Sequence, residues 1–440
     1  MKSWLAGVGL GAVLGFGFVG LSSVAWPQSD RADPRAEVYG KLGIFSEVLA
    51  FIESDYVTEV DSTEVIEAGI NGMLTSLDPH SSYLNPEDFR DIQVDTSGEY
   101  GGLGIEVVPS DGFVKVVAPI DDTPASRAGL KSGDLLTAIN GEQIVGRPLN
   151  DAVKEMRGPA GTDITITVLR EGEDPFDVTL TREVIRPRSV RARMEDDEIG
   201  YLRISEFNER TTLLLEEALA QIAEESGGRP KGLVIDLRNN PGGLLDQAVS
   251  VSDMFLSGGV VVSTFGRHSS NDRPYNAGPG ETFKGVPIVV LINQGSASAA
   301  EIVAGALQDR QRARLLGVTS FGKGSVQKVM PLGADRGALR LTTARYYTPS
   351  GRSIQGIGIE PDLEVAQERI TEEDLERIQK FSEANLPNAL ENEEGQEARA
   401  PHIPADQPPE DYEGEDYQLE RALELLRNPA TFASAEPRAG

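Results

Sequence analysis

The sequence predicts an α/β fold with a smaller, mostly β domain inserted in it and a helical segment before it. Three observations carry this prediction. Short, uninterrupted β-branched runs, such as Ile288 to Ile292, are typical of strands that are buried on both faces of a parallel sheet. Amphipathic stretches with helical periodicity, among them residues 211–225, alternate with these runs. Residues 97–183 interrupt that alternation with short alternating strands and turn glycines, as a separate β domain would.

The composition excludes several classes of function. At 440 residues, the chain is long enough for about two or three domains with their own cores. The absence of cysteine rules out disulfides, thiol nucleophiles and zinc–thiolate sites. His80, His268 and His402 are the only histidines, which leaves little for a metal cluster or a Ser-His-Asp triad. The net charge of −29 argues against a nucleic-acid partner, because phosphates need a basic surface. We therefore predict no metal, no cofactor and no nucleic acid.

The N-terminus has the pattern of a translocation signal. A single lysine, Lys2, precedes a long uncharged apolar run that ends in Ser23-Val24-Ala25, a small-x-small pattern typical of a cleavage site. The run is also long enough to span a bilayer. Residues 1–26 are therefore predicted to be a signal peptide or an N-terminal membrane anchor. The remainder is expected in the periplasm or cell envelope, where the anchor would hold it at the inner membrane.

Residues 35–95 are predicted to be a helical segment. Apolar residues recur at helical spacing in two stripes, one from Leu42 to Ile52 and one from Val65 to Leu74. The stripes fit a helical pair that packs against the core, and they fit a cap or dimerisation element equally well. His80, in the turn-rich stretch that follows, is interpreted as structural rather than catalytic.

Two candidate catalytic residues follow from the stretch 287–327. Ser298 stands where a helix opens directly after a buried strand, so its hydroxyl would lie near free backbone N–H groups at the positive end of the helix dipole. A plain N-cap serine is the ordinary alternative. Lys323 lies between two glycines, and burial would lower its pKa and make it a usable general base without any histidine. A surface loop lysine, or one that binds an anion, fits the same pattern.

The motif GSASAAE at 295–301, followed by FGKGSVQ at 321–327, resembles the C-terminal processing (tail-specific) serine peptidases of family S41, in their PDZ-containing bacterial periplasmic type. The resemblance implies that Ser298, rather than Ser296, is the nucleophile and that Lys323 is the general base. It also implies that Gln327 is the amide that orients the lysine. The layout of residues 184–366 is like the crotonase-like, ClpP-like peptidase core.

An oxyanion hole is implied by the same resemblance. Pro241-Gly242-Gly243 lies at a strand-to-helix turn, where backbone N–H groups can remain free. On its own, such a turn is usually only a turn. The family pattern implies a hole made by Gly243, with Gly242 close behind, together with Ala299, the residue after the nucleophile.

Residues 96–183 resemble a PDZ domain through an ordered set of motifs, from GGLGIEV through AGLKSGD to INGE. The glycine loop of such a domain presents successive N–H groups to a terminal carboxylate, and the next strand pairs with the ligand backbone. The residues expected to bind a substrate tail are Gly102, Leu103, Gly104, Ile105 and Val153, with Leu103, Ile105 and Val153 lining an apolar pocket. The resemblance also implies a regulatory role for Arg157, although a surface arginine would look the same.

The composition changes after residue 366. Residues 367–440 are acidic, rich in proline and poor in large aliphatic side chains, which predicts a largely disordered tail. A short amphipathic helix is predicted near 417–428, with Leu419, Leu423 and Leu426 on one face. That face would suit docking on the core, on another subunit or on a partner.

Together these patterns predict a secreted serine endopeptidase that recognises exposed apolar C-terminal tails through its PDZ domain and cleaves by a Ser-Lys mechanism via an acyl-enzyme. The alternative is a catalytically inactive PDZ scaffold on a peptidase fold. Acyl-CoA chemistry on the crotonase-like core is disfavoured, because CoA is cytoplasmic and the chain carries a translocation signal. The expected partners are protein substrates with exposed C-termini and further copies of the chain, joined through terminal helices; the need for an adaptor protein stays open.

Overall fold

The computed structural model of the chain describes residues 34–110, 112–333, 335–397 and 399–428. The predicted signal peptide or anchor at 1–26 and the end of the predicted tail, 429–440, lie outside these residues. Within the described ranges, no helix combines the length and the apolar character that a membrane crossing requires. The described residues divide into two compact units, with the boundary between Ile66 and Glu67.

The secondary structure alternates between helices and strands over most of the described chain. The helices are α1 (Pro34–Asp55), α2 (Ser62–Thr75), α3 (Pro86–Ser97), α4 (Pro124–Arg127), α5 (Leu149–Met156), α6 (Thr211–Glu225), α7 (Leu245–Asp253), α8 (Ala299–Asp309), α9 (Glu372–Lys380) and α10 (Tyr417–Arg427). The strands are β1 (Ser82–Leu84), β2 (Tyr100–Gly102), β3 (Ile105–Ser110), β4 (Phe113–Pro119), β5 (Leu135–Ile139), β6 (Glu142–Gln143), β7 (Asp163–Leu169), β8 (Phe176–Thr181), β9 (Glu183–Ile185), β10 (Val190–Glu195), β11 (Ile199–Ile204), β12 (Gly232–Asp236), β13 (Gly259–Gly266), β14 (Arg273–Ala277), β15 (Ile288–Ile292), β16 (Arg314–Gly317), β17 (Ser325–Pro331), β18 (Ala338–Tyr347) and β19 (Leu363–Glu364).

The central sheet has the order β10-β11-β12-β15-β16-β19. Strands β11 to β19 of this sheet run parallel, and β10 pairs antiparallel at the edge. Every residue of β12 and β15 is buried, as their uninterrupted apolar runs predict. The neighbours β12, β15 and β16 end at the same edge of the sheet, so the three loops that follow them meet there.

Helices close both faces of this sheet. On one face, α6, α7 and α8 bury an apolar cluster that includes Leu215, Phe255 and Leu307. On the other face, α10 places Leu419 and Leu423 in a second cluster with the strand residues of β12 and β15. Burial on two faces explains why these strands carry no polar alternation.

A second sheet of the peptidase core is antiparallel. Its order is β1-β18-β13-β14, with β17 paired to β18. A short connection joins β17 to β18, and such a connection permits only antiparallel pairing, because parallel pairing needs a crossover.

The inserted β domain has a core of its own. Its sheet has the order β3-β4-β5-β7-β8, with β6 paired to β5, and its apolar cluster runs from Leu103 to Leu180. A two-stranded ribbon of β2 and β9 carries the chain into and out of the domain. The architecture is therefore the predicted α/β fold with an inserted, mostly β domain.

The C-terminal stretch also differs from its prediction as a largely disordered tail. Its described part contains α9 and α10, and Glu383 between them is fully buried. Helix α10 packs on the sheet through the predicted face of Leu419, Leu423 and Leu426. The composition misled because it averages over the stretch, whereas a few polar side chains that bond to the core are enough to order an extended backbone.

Candidate active site

Ser298 lies in the turn between β15 and α8, at the edge where the three loops meet. It is the N-cap residue of α8, and its backbone has φ 52° and ψ −112°. Such a conformation costs a residue with a side chain about 1–3 kcal/mol, and it persists only where the surroundings enforce it. Here the Ala297 amide donates to Asn240 O at 2.9 Å, and the Phe321 amide donates to Ser296 O at 3.0 Å. The turn is thus held by both neighbouring loops.

The two serines of the motif have different surroundings. The hydroxyl of Ser296 is buried, donates to Leu237 O at 2.8 Å and accepts from the Asn293 amide at 3.0 Å. Ser296 therefore ties the turn to the end of β12. The Ser298 side chain instead lies within hydrogen-bonding reach of the Tyr346 hydroxyl. Burial raises the pKa of Tyr346, so this phenol stays protonated at neutral pH.

Glu301, in the first turn of α8, joins the serine turn to the lysine loop. Its carboxylate is fully buried, and one oxygen, Oε2, accepts from both the Ser298 amide at 2.7 Å and the Lys323 amide at 2.9 Å. The other oxygen accepts from Ser320 Oγ at 2.6 Å and from the Gly322 amide at 2.7 Å. Burial raises the pKa of Glu301 to about 7, whereas the four donors favour its charged form. The sequence analysis missed this residue, although a glutamate three positions into a helix that starts at a serine is a known capping pattern.

Lys323 is half-buried beside this carboxylate. Burial, and next the positive charge of Arg340, lower the pKa of Lys323 below its ordinary value. The carboxylates of Glu383, Glu301 and Asp78 act in the opposite direction. The direction of the shift is the one that a lysine base needs. The backbones of Ser298 and Lys323 lie close together through Glu301, but no hydrogen bond joins the lysine amine to the serine hydroxyl among the described residues.

Gln327 does not make the contact expected from the resemblance. Its Nε2 donates to Ser325 Oγ at 2.9 Å and to Thr342 Oγ1 at 3.2 Å. Within the described part of the chain, no hydrogen bond joins its amide to the amine of Lys323. A strand irregularity between Val326 and Gln327 changes the pairing register at this point, which local spacing in the sequence could not show.

The glycine turn after β12 lies directly against Ser298. A methyl group at Gly242 would come within 2.8 Å of Ser298 Cβ and 2.9 Å of the Ala299 nitrogen, so only glycine fits there. The Gly242 amide donates to Asn240 Oδ1 at 2.9 Å and is therefore not available to an oxyanion, which corrects its expected role. The amides of Gly243 and Ala299 have no acceptor among the described residues.

The PDZ-like groove is open where the carboxylate loop was predicted. The amides of Leu103 and Gly104 have no acceptor among the described residues, and Gly104 has φ 75°. Ile105 and Val153 are half-buried and pack on the edge of the domain core. Leu103 is only 3% exposed, so it lies in the core of the domain and can form at most the floor of a pocket. Gly102 belongs to the ribbon, paired with Glu183.

Arg157 is the C-cap residue of α5. Its guanidinium stacks over the ring of Tyr100, 4.6 Å from the ring centroid. Its regulatory role stays a prediction, because this contact joins it to the ribbon at the base of the PDZ domain and to none of Ser298, Lys323 and Gln327 among the described residues. In the part of the chain that the structure describes, no three His, Asp or Glu side chains are grouped so that they could hold a metal ion.

Comparisons with known proteins show the family to which the chain belongs. The model of peptidase family S41 matches residues 198–365, a PDZ domain model matches residues 115–170, and the model of the activating protease CtpB N-terminal domain matches residues 22–88. The chain is 47% identical over 425 residues to a carboxy-terminal-processing protease of Bartonella bacilliformis, covering 96% of each chain. It is 38% identical over 310 residues to a carboxyl-terminal-processing protease of Synechocystis sp., covering 69% of this chain and 71% of that protein.

A solved structure, the photosystem II D1 C-terminal processing protease, aligns with a TM-score of 0.45 and 28% identity, covering 79% of this chain and 92% of that chain. The sequence relatives decide the assignment, because the 47% identity extends over almost the whole of both chains. The chain belongs to peptidase family S41, among the C-terminal-processing serine proteases that carry a PDZ domain.

Proposed function

We propose that the chain is a periplasmic serine endopeptidase that binds exposed apolar C-terminal tails in its PDZ domain and cleaves its substrates by a Ser-Lys mechanism. One observation carries the proposal: the buried carboxylate of Glu301 binds the backbone of both Ser298 and Lys323. The site lies at the sheet edge where the amides of Gly243 and Ala299 have no acceptor in the described residues.

The chemistry uses groups of the chain alone. The neutral amine of Lys323 takes the proton of the Ser298 hydroxyl while Oγ attacks the substrate carbonyl carbon. The amides of Gly243 and Ala299 donate to the oxyanion that forms. The lysine ammonium then protonates the leaving amine as the C–N bond breaks, and an acyl-enzyme remains. Lys323 next takes a proton from water as the water oxygen attacks the ester carbon, and it returns that proton to Ser298 Oγ as the C–Oγ bond breaks and the acid is released.

This mechanism requires the amine of Lys323 to come within hydrogen-bonding distance of Ser298 Oγ. Catalytic hydrogen bonds are often long or misaligned without substrate and tighten in the complex. Gln327, four residues after the lysine, is proposed to orient the amine in that complex. Because burial and Arg340 lower the pKa of Lys323, activity should rise as the pH passes through that lowered value. A flat profile between about pH 6 and about pH 10 would leave Lys323 without a catalytic role.

The PDZ domain supplies recognition in this proposal. The unpaired amides of Leu103 and Gly104 suit a terminal carboxylate, and the half-buried Ile105 and Val153 suit apolar side chains of the tail. Arg157 is proposed to couple an occupied groove to the peptidase core. The alternative of an inactive scaffold is not favoured, because the relatives are named proteases and both candidate catalytic side chains are present.

The decisive experiment compares the full-length protein with Ser298→Ala on an unfolded protein, β-casein. We expect cleavage by the wild type and a loss of about 10⁴-fold or more in the variant, because the nucleophile is gone. Ser296→Ala is the matched variant at the other serine of the motif: it should still cleave, at a reduced rate, because the turn is loosened but the nucleophile remains. Cleavage by both the wild type and Ser298→Ala, or by neither of them, would contradict the proposal.

Export to the periplasm is proposed from the apolar pattern of residues 1–26. N-terminal sequencing of the mature protein from the cell envelope would show whether the segment has been removed. A homo-oligomer is proposed from α1, whose side chains include several large exposed apolar residues: Val38, Tyr39, Leu42, Ile44, Phe45, Val48 and Phe51. Sedimentation of the wild type beside Leu42→Glu tests this, and an unchanged mass in the variant would count against it.

A further inference from the structure

A second buried carboxylate, Glu383, lies beside the lysine loop, defined as residues 321–324. It is fully buried although it belongs to the stretch that the composition predicts to be disordered. Both of its oxygens contact His80 Nε2, at 3.0 Å and 2.8 Å, and Oε1 also accepts from Gln355 Nε2 at 2.9 Å. A carboxylate without water is costly unless such partners satisfy it, so this placement is specific.

Gln355 connects this carboxylate to the lysine loop. Its side chain is fully buried, and its Oε1 accepts from the Gly324 amide at 3.1 Å. Because Glu383 accepts from the Nε2 end, it determines which way the amide of Gln355 points. The Glu383 amide also donates directly to Phe321 O at 3.2 Å. Glu383 therefore holds both ends of the lysine loop, while Glu301 holds the two residues between them.

The chain around Glu383 is docked mainly by polar contacts. In residues 381–392, here called the C-terminal segment, Asn388 Nδ2 donates to Thr75 O and Asn392 Nδ2 donates to Gln355 O, each at 3.0 Å. Arg345 Nη1 donates to Glu391 O at 2.8 Å. These contacts connect the C-terminal segment to three separate parts of the chain: the end of α2, the loop that contains Gln355, and strand β18. A segment held in this way can detach at a lower free energy than the sheet beneath it.

We infer that Glu383 is a positioning residue for proteolysis, and that the lysine loop is held for catalysis only while the C-terminal segment is docked. The inference rests on the proposed role of Lys323 as the general base. It assigns to a C-terminal residue of the chain, through His80 and Gln355, a function in placing the base. Proteolytic activity then depends on whether the C-terminal segment is docked.

The charge of Glu383 has a second consequence that can be measured, because it affects the pKa of Lys323. Four charged groups on four different elements act on Lys323: Arg340 of β18, Glu383 of the C-terminal segment, Glu301 of α8 and Asp78 of the turn before β1. Arg340 lowers the pKa of Lys323 and the three carboxylates raise it. Replacing Glu383 by glutamine removes one of the opposing charges, so the pKa of Lys323 falls further. The acid limb of the activity profile, which is the pH range over which activity rises as Lys323 loses its proton, then moves to lower pH.

The test measures kcat and KM of the full-length protein on β-casein across the pH range for the wild type, Glu383→Gln and Glu376→Gln. Glu376 is the matched control, since it belongs to the same C-terminal stretch but is exposed on α9. We expect Glu383→Gln to lower the plateau kcat by about ten- to a hundredfold with KM unchanged, because the base is misplaced. Its acid limb should lie below that of the wild type, and the control should match the wild type.

Amide exchange in the Ser298→Ala background gives a second measurement that needs no activity. In Glu383→Gln, the Gly324 amide should exchange faster, since it depends on Gln355. The Phe321 amide, which donates to Ser296 O, should keep its protection. Equal loss at both amides would indicate general destabilisation and would contradict the positioning role.

The two proposals fail in different ways. A Lys323→Ala variant that keeps its activity would overturn the proposed function. If Lys323→Ala is inactive while Glu383→Gln keeps the wild-type plateau and acid limb, only the inference about Glu383 is wrong. A lower melting temperature in Glu383→Gln with an unmoved acid limb would likewise count against it, because that is what a purely structural residue would give.

Discussion

The peptidase core and the PDZ domain hold their functional residues in opposite ways. In the core, Glu301 is fully buried, and both of its oxygens accept two hydrogen bonds from the loops that carry Ser298 and Lys323. In the PDZ domain, Ile105 and Val153 stay half-buried, and the neighbouring loop amides have no acceptor among the described residues.

The attachment of the two regions differs as well. The PDZ domain has a separate apolar cluster and enters the chain through the β2–β9 ribbon. Its other contacts with the rest of the chain include exposed ion pairs. Lys154 of the PDZ domain pairs with Glu87 of α3 at 3.2 Å, and Glu106 of the PDZ domain pairs with Arg191 of β10 at 3.8 Å. Exposed pairs contribute at most about 1 kcal/mol each. The comparison indicates that bond cleavage needs groups that are fixed in advance, whereas recognition needs an accessible surface.

Among the variants that test this comparison, the largest effect is expected from Glu301→Gln, which removes a buried carboxylate from the peptidase core. A glutamine keeps one acceptor oxygen but presents an N–H group to two of the four donors. The kcat should fall by about 10²-fold or more, and the free energy of unfolding should fall by about 1–3 kcal/mol. Steady-state kinetics and thermal melts measure the two effects. Glu224→Gln, on the exposed face of α6, is the control. Unchanged kcat in Glu301→Gln would show that the shared carboxylate is dispensable.

Val153→Asp tests the tail-binding surface of the PDZ domain. A charge in the apolar groove should weaken tail binding by about tenfold, equivalent to about 1.4 kcal/mol, and should appear in KM rather than in kcat. Val117→Asp, at an exposed position on β4 of the same domain, is the control. Amidation of the substrate C-terminus should also raise KM in the wild type, because it removes the terminal carboxylate that the loop amides are proposed to bind. An unchanged KM on amidation would mean that the carboxylate is not bound there.

Arg340→Met tests how a positive charge in the peptidase core affects the pKa of Lys323. The Arg340 side chain is half-buried, and its Nε has no hydrogen-bond partner in the described structure. Its charge lowers the pKa of Lys323, so its removal raises that pKa. The lysine then becomes neutral only at higher pH, and the acid limb of kcat moves upward, opposite to Glu383→Gln. Lys328→Met, exposed on β17, should leave the limb in place. A downward shift in Arg340→Met would contradict the sign of this interaction.

The smallest effect is expected from Lys154→Gln, which removes an exposed contact between the PDZ domain and α3. The change in kcat/KM should correspond to less than about 1 kcal/mol, that is, less than about fivefold. Raising the ionic strength should reduce the difference between variant and wild type, because salt screens exposed pairs. A large effect that persists at high salt would show that the PDZ domain is docked more firmly than its contacts indicate.

Sequence reasoning reached the motifs but not the contacts between them. The buried runs of β12 and β15 predicted the parallel sheet, and GSASAAE with FGKGSVQ pointed to Ser298 and Lys323. Glu301 was overlooked although it stands inside the first motif. Its role depends on donors from the lysine loop, and a hydrogen bond between distant loops leaves no periodicity in the sequence.

Two other predictions were wrong for a related reason. Gly242 looked like an oxyanion donor, but its amide is taken up by the side chain of Asn240, two residues earlier. The C-terminal stretch looked disordered by composition, yet Glu383 is buried between His80 and Gln355. Neither contact can be inferred from the average polarity of the stretch in which it occurs.

By itself, the sequence determined the fold class, the inserted domain and the candidate nucleophile and base, because apolar periodicity and motif spacing are local properties. Only the tertiary structure decided how these residues are held. The parallel order β12-β15-β16 brings three loops to one sheet edge, and buried carboxylates then bind backbone amides from different loops. Such contacts arise when strands and helices pack, so they depend on positions in space that no single stretch of sequence specifies.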